Sequence, residues 1–271
     1  MTLIRHGDTG YPVEAIQRDL ARHGLDLAID GVFGPATEAA VRRFQREHGL
    51  VIDGVVGRKT RRALTQGDDP KALRQIDLVG AAETLEVDLA AVMAVNEVES
   101  RGVGMHHGGP RNGEPVILFE RHIMRRRLEH HGVSPVEYER SHPSLVNAKP
   151  GGYIGGHREH DRLDQAAYLH PTSAIESASW GLFQIMGFHW ERLGYRTVGD
   201  WANAMAHSEA RQLEAFVRFI EADRALHRAL KEHDWRDFAR RYNGPAYAKN
   251  DYDTKLAAAH RRHSHDLERA A

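Results

Sequence analysis

Asp30-Gly31-Val32-Phe33-Gly34-Pro35-Ala36-Thr37 returns further along the chain as Asp53-Gly54-Val55-Val56-Gly57-Arg58-Lys59-Thr60. Each copy reads as a tight turn followed by a helix start. Asp-Gly supplies the turn, the second glycine frees the backbone, and threonine with a nearby proline suits a first helical turn. After the first copy, Val41, Phe44 and Gln45 share one helical face; before it, Val13, Ile16, Gln17 and Leu20 trace another, ending near Gly24. The repeat therefore predicts three short helices around a small apolar core. Gln66-Gly67-Asp68-Asp69-Pro70 follows as a polar linker, and from about Leu73 the pattern is again mostly helical. Gly/Pro-rich stretches around Gly102–Pro115 and Pro143–Gly156 read as loops or short strands. Helical patterning returns through Trp180–Ile185, Trp201–Leu230 and Trp235–Tyr242. Parallel-sheet patterning is missing, which excludes a doubly wound fold.

Composition narrows the function. The 271 residues carry 37 Lys and Arg against 38 Asp and Glu, a formal charge of −1, so no whole-chain basic field exists for nucleic acid. Cysteine is absent, which excludes disulfide scaffolds, thiol catalysis and Cys-ligated zinc. No run approaches the ~18 apolar residues of a membrane span, and the first residues have no apolar segment typical of a signal peptide. The 19 histidines contain no His-Glu-x-x-His; His106-His107, His130-His131 and His157-x-x-His160-Asp161 read as isolated pairs. Neither a metal site nor a cofactor is expected. The basic runs Arg121–Arg127 and His260–His263 read as solvated helix faces.

One acid stands out. In a helix read from Leu85 to Ser100, Leu89, Val92, Met93 and Asn96 form the inward stripe. Glu99 lies seven residues after Val92, only about 20° from it around the axis, whereas Glu97 points to solvent. Partial burial and the negative helix end both raise the pKa of Glu99. A carboxylic acid still protonated near neutrality is what general-acid cleavage of a glycosidic bond requires. Glu120, in the apolar setting of Ile117, Leu118 and Phe119, needs a partner such as Arg121 or His122 and reads as structural or substrate-supporting.

Two resemblances fit this reading. Residues Gly10 through Val13-x-x-Ile16-Gln17-x-x-Leu20, the doubled Asp-Gly-x-x-Gly pattern and Val41-x-x-Phe44-Gln45 resemble the type-1 peptidoglycan-binding domain. Val98-Glu99-Ser100-x-Gly102, Ser179-Trp180-Gly181-Leu182-Phe183-Gln184-Ile185 and Tyr242-Asn243-Gly244-Pro245 occur in the order of the lysozyme-like superfamily of goose-type lysozymes and lytic transglycosylases. More narrowly, Ile117–His122, Pro150–Tyr153, Ser177–Gly187 and Phe238–Pro245 resemble the phage N-acetylmuramidases, and the whole resembles a modular phage endolysin.

The resemblance implies a mainly α chain: a small three-helix wall-binding domain over 1–66, a linker and first helix over 67–79, and a larger lysozyme-like, predominantly helical catalytic domain over 80–271. It implies Glu99 as the catalytic acid, a Gly-Leu-x-Gln-Ile turn shaping the cleft floor, and a Tyr-Asn-x-Pro segment contacting both the acid and sugar. Ser179, Gln184, Tyr242, Asn243, Tyr247 and Glu120 are the substrate-binding candidates, with Tyr247 equally readable as part of a buried Tyr-Asn network. Gly181 and Gly187 would let backbone approach a sugar, and Trp180, Phe183 and Ile185 read as core. Asp161, Asp164 and Glu176 are within range by sequence as a second carboxylate, with no motif selecting among them. The expected reaction is hydrolysis of the β-1,4 bond between N-acetylmuramic acid and N-acetylglucosamine; the alternative is a lytic transglycosylase giving anhydro products. The expected partner is peptidoglycan, bound by a monomer held in the host cytoplasm until the membrane is opened.

Overall fold

The structure is a computed structural model describing residues 3–100, 102–244 and 247–270. Two separate apolar cores organise it, one running from Ile4 to Leu64 and the other from Leu73 to Leu256.

The smaller unit holds α1 (Tyr11–Arg22), α2 (Pro35–Glu47) and α3 (Arg58–Gln66). The sequence repeat is here a hydrogen-bond repeat. Gln17 Nε2 donates to Asp30 Oδ1 (2.8 Å), Val32 O (3.2 Å) and Thr37 Oγ1 (3.0 Å), while its Oε1 accepts from Gly31 N (2.9 Å). Gln45 does the same with Asp53 Oδ1 (2.7 Å), Val55 O (3.0 Å), Thr60 Oγ1 (3.3 Å) and Gly54 N (2.9 Å). Both glutamines are 1% exposed, so each amide is satisfied entirely by its own turn. Gly31 (φ 71°) and Gly54 (φ 72°) occupy the left-handed region, where a side chain is strained.

The larger unit follows as α4 (Gln75–Leu85), α5 (Leu89–Glu99), β1 (Ile117–Phe119), α6 (Arg121–His130), α7 (Val136–Ser141), α8 (Glu159–Leu169), α9 (Pro171–Glu176), β2 (Ala178–Trp180), β3 (Ile185–Met186), α10 (Val198–His207), α11 (Glu209–Glu221), α12 (Arg224–Lys231), α13 (Trp235–Asn243) and α14 (Tyr252–Ala270). The chain is mainly helical, with a small antiparallel sheet in the order β1-β2-β3 among the described residues. Leu118 faces Ser179 across the first ladder, and Ser179 faces Met186 across the second.

Two local expectations change. The helix read from Leu85 breaks at Glu86, whose φ is 51°, and restarts at Asp88, whose Oδ1 accepts Ala91 N at 2.9 Å as an N-cap. Ala90 to Val95 are then buried on every side, because α4 and α14 both pack on α5. The stretch Trp180–Ile185 is a strand, a turn and a strand rather than a helix. Gly181 (φ 70°) and Gln184 (φ 50°) take left-handed conformations that no right-handed helix admits.

Polar contacts tie the two units together. Lys59 Nζ lies 2.5 Å from Glu209 Oε2, Arg42 pairs with Asp266 at 2.6 Å, and Ile52 N donates to Gln75 Oε1 at 3.0 Å. A cavity of about 430 Å³ opens along this seam, lined by Arg5, Val55 and Lys59 on one side and Asn96, Ser100 and Gly102 on the other. The last three flank Glu99.

Candidate active site

Glu99 is the final residue of α5, half-buried, and burial pushes its carboxyl up to about 7. Among the described residues the opposing influence is a single hydrogen bond, from Asn243 Nδ2 to Glu99 Oε1 at 2.9 Å. Asn243 closes α13, which Asp234 caps by accepting Asp237 N at 3.0 Å. The Tyr-Asn segment therefore meets the acid across the fold. Glu97, two residues earlier, is exposed, yet Arg262 and His263 of α14 hold its carboxyl down at about 2. The last turn of one helix thus carries an acid that titrates near neutrality and another that is ionised at any pH well above 2.

Beside Asn243, Tyr242 donates its hydroxyl to Phe183 O at 3.0 Å and packs edge-on to Phe216 and Phe219. Its phenol is pushed far up by burial and stays protonated. Ser179 Oγ donates to Gln184 Oε1 at 3.0 Å, and Gln184 Nε2 donates to Gly181 O at 2.9 Å. Together they brace the β2–β3 turn from inside. The close approaches at Gly181 and Gly187 are to the protein itself: a Cβ would strike the Gln212 side chain at Gly181 and the Ile175 carbonyl at Gly187. Pro245 and the side chain of Tyr247 lie outside the described residues.

Glu120 receives a hydrogen bond from Tyr153 Oη at 2.8 Å, and His122 Nδ1 lies 3.2 Å from its carboxylate. Of the two partners expected for it, His122 is the one present; Arg121 instead donates to the carbonyls of Pro143, Lys149 and Pro150. The three acids considered as a second carboxylate are engaged elsewhere. Asp161 and Asp164 both bind Arg111, at 3.0 and 2.5 Å. Glu176, 1% exposed, binds Arg127 (2.8 Å), His131 (2.7 Å) and Trp190 Nε1 (2.9 Å).

Two residues that carry the site were not singled out in the sequence. Glu209 and Gln212, each 1% exposed on α11, hold the loop that follows Glu99. Glu209 accepts Gly104 N (2.7 Å) and Leu73 N (2.7 Å) as well as the Lys59 ammonium. Gln212 donates to Gly104 O (3.2 Å) and Met205 O (2.8 Å) and accepts Leu182 N (2.9 Å), joining that loop to the β2–β3 turn. Their signal was a polar pair on the same stripe as Leu213, Phe216 and Ile220, where burial demands partners.

The family model described as N-acetylmuramidase matches residues 88–264. The chain belongs to the N-acetylmuramidase family. A peptidoglycan binding domain model matches residues 9–64 of this family member. Its structure superposes on that of the Burkholderia AP3 phage endolysin with a TM-score of 0.90 and 49% identity, covering 97% of this chain and 100% of that one. Shorter stretches resemble the zinc D-Ala-D-Ala carboxypeptidase of Streptomyces albus G, 44% identical over 69 residues, and the spore cortex-lytic enzyme of Halalkalibacterium halodurans, 46% over 56. These matches take in 24% and 20% of this muramidase-family chain, and they span 27% and 17% of those two relatives.

Proposed function

We propose that the chain is a peptidoglycan-degrading endolysin that hydrolyses the β-1,4 bond between N-acetylmuramic acid and N-acetylglucosamine, with Glu99 as the general acid. The observation that carries this reading is the carboxyl of Glu99, raised to about 7 by burial and oriented by Asn243. In its protonated form it donates to the glycosidic oxygen as the bond to the sugar's anomeric carbon breaks; the carboxylate left behind is steadied by the Asn243 amide, water adds to the anomeric carbon, and the proton that water releases restores the acid. Ser179 and Gln184 hold the shape of the cleft floor, Tyr242 sets the end of α13, and Glu120 with Tyr153 supports substrate beside β1. Tyr247, two residues beyond Pro245, is assigned to sugar contact as an aromatic face with a polar tip. The smaller unit holds the wall while the larger one cuts it, and the ion pairs across the seam keep the two at fixed spacing.

A lytic transglycosylase is the second reading, favoured by one observation: Asp161, Asp164 and Glu176 are each bound to arginine, and among the described residues no neighbouring charge contributes to the raised pKa of Glu99. Glu99 would then act as acid and afterwards as base, drawing the muramic acid 6-hydroxyl onto the anomeric carbon in place of water. No helix among the described residues is long and apolar enough to cross a membrane. The enzyme is proposed to act as a monomer that waits in the host cytoplasm for a separate membrane-opening event.

Digestion of purified peptidoglycan, borohydride reduction and mass analysis tests the proposal. Reducible N-acetylmuramic acid ends are expected. Products lighter by one water and resistant to reduction establish the transglycosylase, and free peptides with intact glycan overturn both glycosidase readings.

A further inference from the structure

At the end of α5 opposite Glu99, Asp88 meets two histidines from distant parts of the chain. His233, in the corner between α12 and α13, places Nε2 at 2.6 Å from Asp88 Oδ2; His260, on α14, places Nε2 at 3.0 Å from Oδ1. One ligand atom from each of the three residues fits within 4.8 Å of the other two. We propose that Asp88, His233 and His260 form a structural binding site for a divalent transition-metal ion of borderline softness, zinc being the best fit, which fastens α14 and the α12–α13 corner to the base of the helix carrying Glu99.

The donor set is the first argument. Two imidazoles and one carboxylate form a donor class suited to zinc and its first-row neighbours, with open positions left for water. Calcium and magnesium prefer all-oxygen sets and are disfavoured here. Charge is the second. Asp161, Asp164, Glu176 and Glu209 each have an arginine or lysine partner, whereas Asp88 is bonded by two imidazoles and by the Ala91 amide alone among the described residues. The carboxylate therefore has negative charge not already matched by a permanent cation, and each neighbouring imidazole has in its neutral form a ring nitrogen whose lone pair can ligate an ion.

Preorganisation is the third. The Ala91 N–H bond to Oδ1 fixes the carboxylate and leaves Oδ2 directed at His233. Trp235 stacks on His233 with ring centroids 5.5 Å apart and lies 5.3 Å from His260, while the two imidazoles are 4.2 Å apart. These contacts hold both rings on one side of the carboxylate. His263, one turn further along α14, is bound to Glu97 and belongs to a separate cluster. Asp88 and His233 are exposed, so an ion can enter from solvent without the fold opening.

Calorimetric titration of the tag-free, full-length protein with zinc chloride tests this, alongside thermal unfolding and cobalt(II) absorption. One saturable site per chain is expected, with a rise in Tm of roughly 5 °C at a hundredfold excess over Kd and the visible spectrum of low-coordinate cobalt. H233Q, H260Q and D88N should each weaken zinc binding by at least about tenfold, whereas H130Q, at an exposed histidine outside the cluster, should leave it unchanged. Asparagine at 88 keeps an oxygen for the helix cap, so D88N separates loss of metal from loss of fold. Absence of a saturable site in the wild type overturns the proposal. So does binding that survives in folded H233Q, H260Q and D88N.

Discussion

Asn243, the last residue of α13, donates its side-chain amide to Glu99, the last residue of α5, across 2.9 Å and 144 positions of sequence. The bond favours the charged form of the carboxyl while burial opposes it, and the balance rests at about 7. The acidity of Glu99 is therefore set jointly by two helix ends.

Replacing Asn243 with alanine removes the one influence among the described residues that lowers the Glu99 pKa. The carboxyl then titrates above about 7, so the alkaline limb of the pH–activity profile moves upward. Loss of orientation should also cut the maximal rate about tenfold. Rates measured from pH 5 to 9 on one peptidoglycan preparation check this; an unshifted limb would show that the bond does not tune the acid.

Glu99 also costs stability. Its folded pKa lies above its unfolded value of 4.5, so the folded state binds the extra proton between the two values, and stability falls as pH rises from about 4.5 through 7. The difference corresponds to about 3 kcal/mol, reduced to about 2 by the carboxyl's residual exposure. Glu99→Gln should therefore unfold at higher temperature than wild type at pH 8 and at nearly the same temperature at pH 4. Equal Tm values at pH 8 would show that the carboxyl is not destabilised by burial.

Gln45→Leu should disrupt the smaller unit. It leaves the Gly54 amide, the Asp53 carboxylate and the Thr60 hydroxyl short of a partner in a buried setting, at a cost of about 3 kcal/mol. Loss of sedimentation with insoluble wall material before any loss of muramidase domain structure is the expected outcome, and circular dichroism with pull-down reads both.

Glu176 serves the fold. Glu176→Ala leaves Arg127 and His131 unpaired around a buried site and should cost 3–5 kcal/mol, roughly the range for breaking a buried pair. The rate per folded molecule should stay near wild type; a large drop in that rate at unchanged stability would make Glu176 the second catalytic carboxylate.

Periodicity and turn chemistry made much of this legible in advance. The Asp-Gly-x-x-Gly repeat marked the smaller unit because the same turn is built twice, and Glu99 was legible because its place at the end of an apolar face fixes its burial. What stayed hidden depends on contacts distant in sequence. The basic runs Arg121–Arg127 and His260–His263 are solvated only in part: Arg126, Arg261 and Arg262 are exposed, but Arg127 is consumed by Glu176, His260 by Asp88 and His263 by Glu97. Glu209 and Gln212 hold the loop after Glu99 through Gly104, more than a hundred positions away, a contact no local pattern displays. Gly181 in the β2–β3 turn and Gly187 just after β3 read as sugar-facing because only the fold brings the Gln212 side chain and the Ile175 carbonyl to where a Cβ would sit. The turn itself was hidden in a run of apolar residues that helix and strand share.

The measurement that bears most directly on the central claim compares wild type with Glu99→Gln in two assays on one wall preparation: release of soluble glycan, and sedimentation with the insoluble wall. The account predicts loss of glycan release by at least about a thousandfold, in keeping with removal of a general acid, with wall binding unchanged. Glycan release near the wild-type rate in the folded variant would contradict it and remove Glu99 from the chemistry.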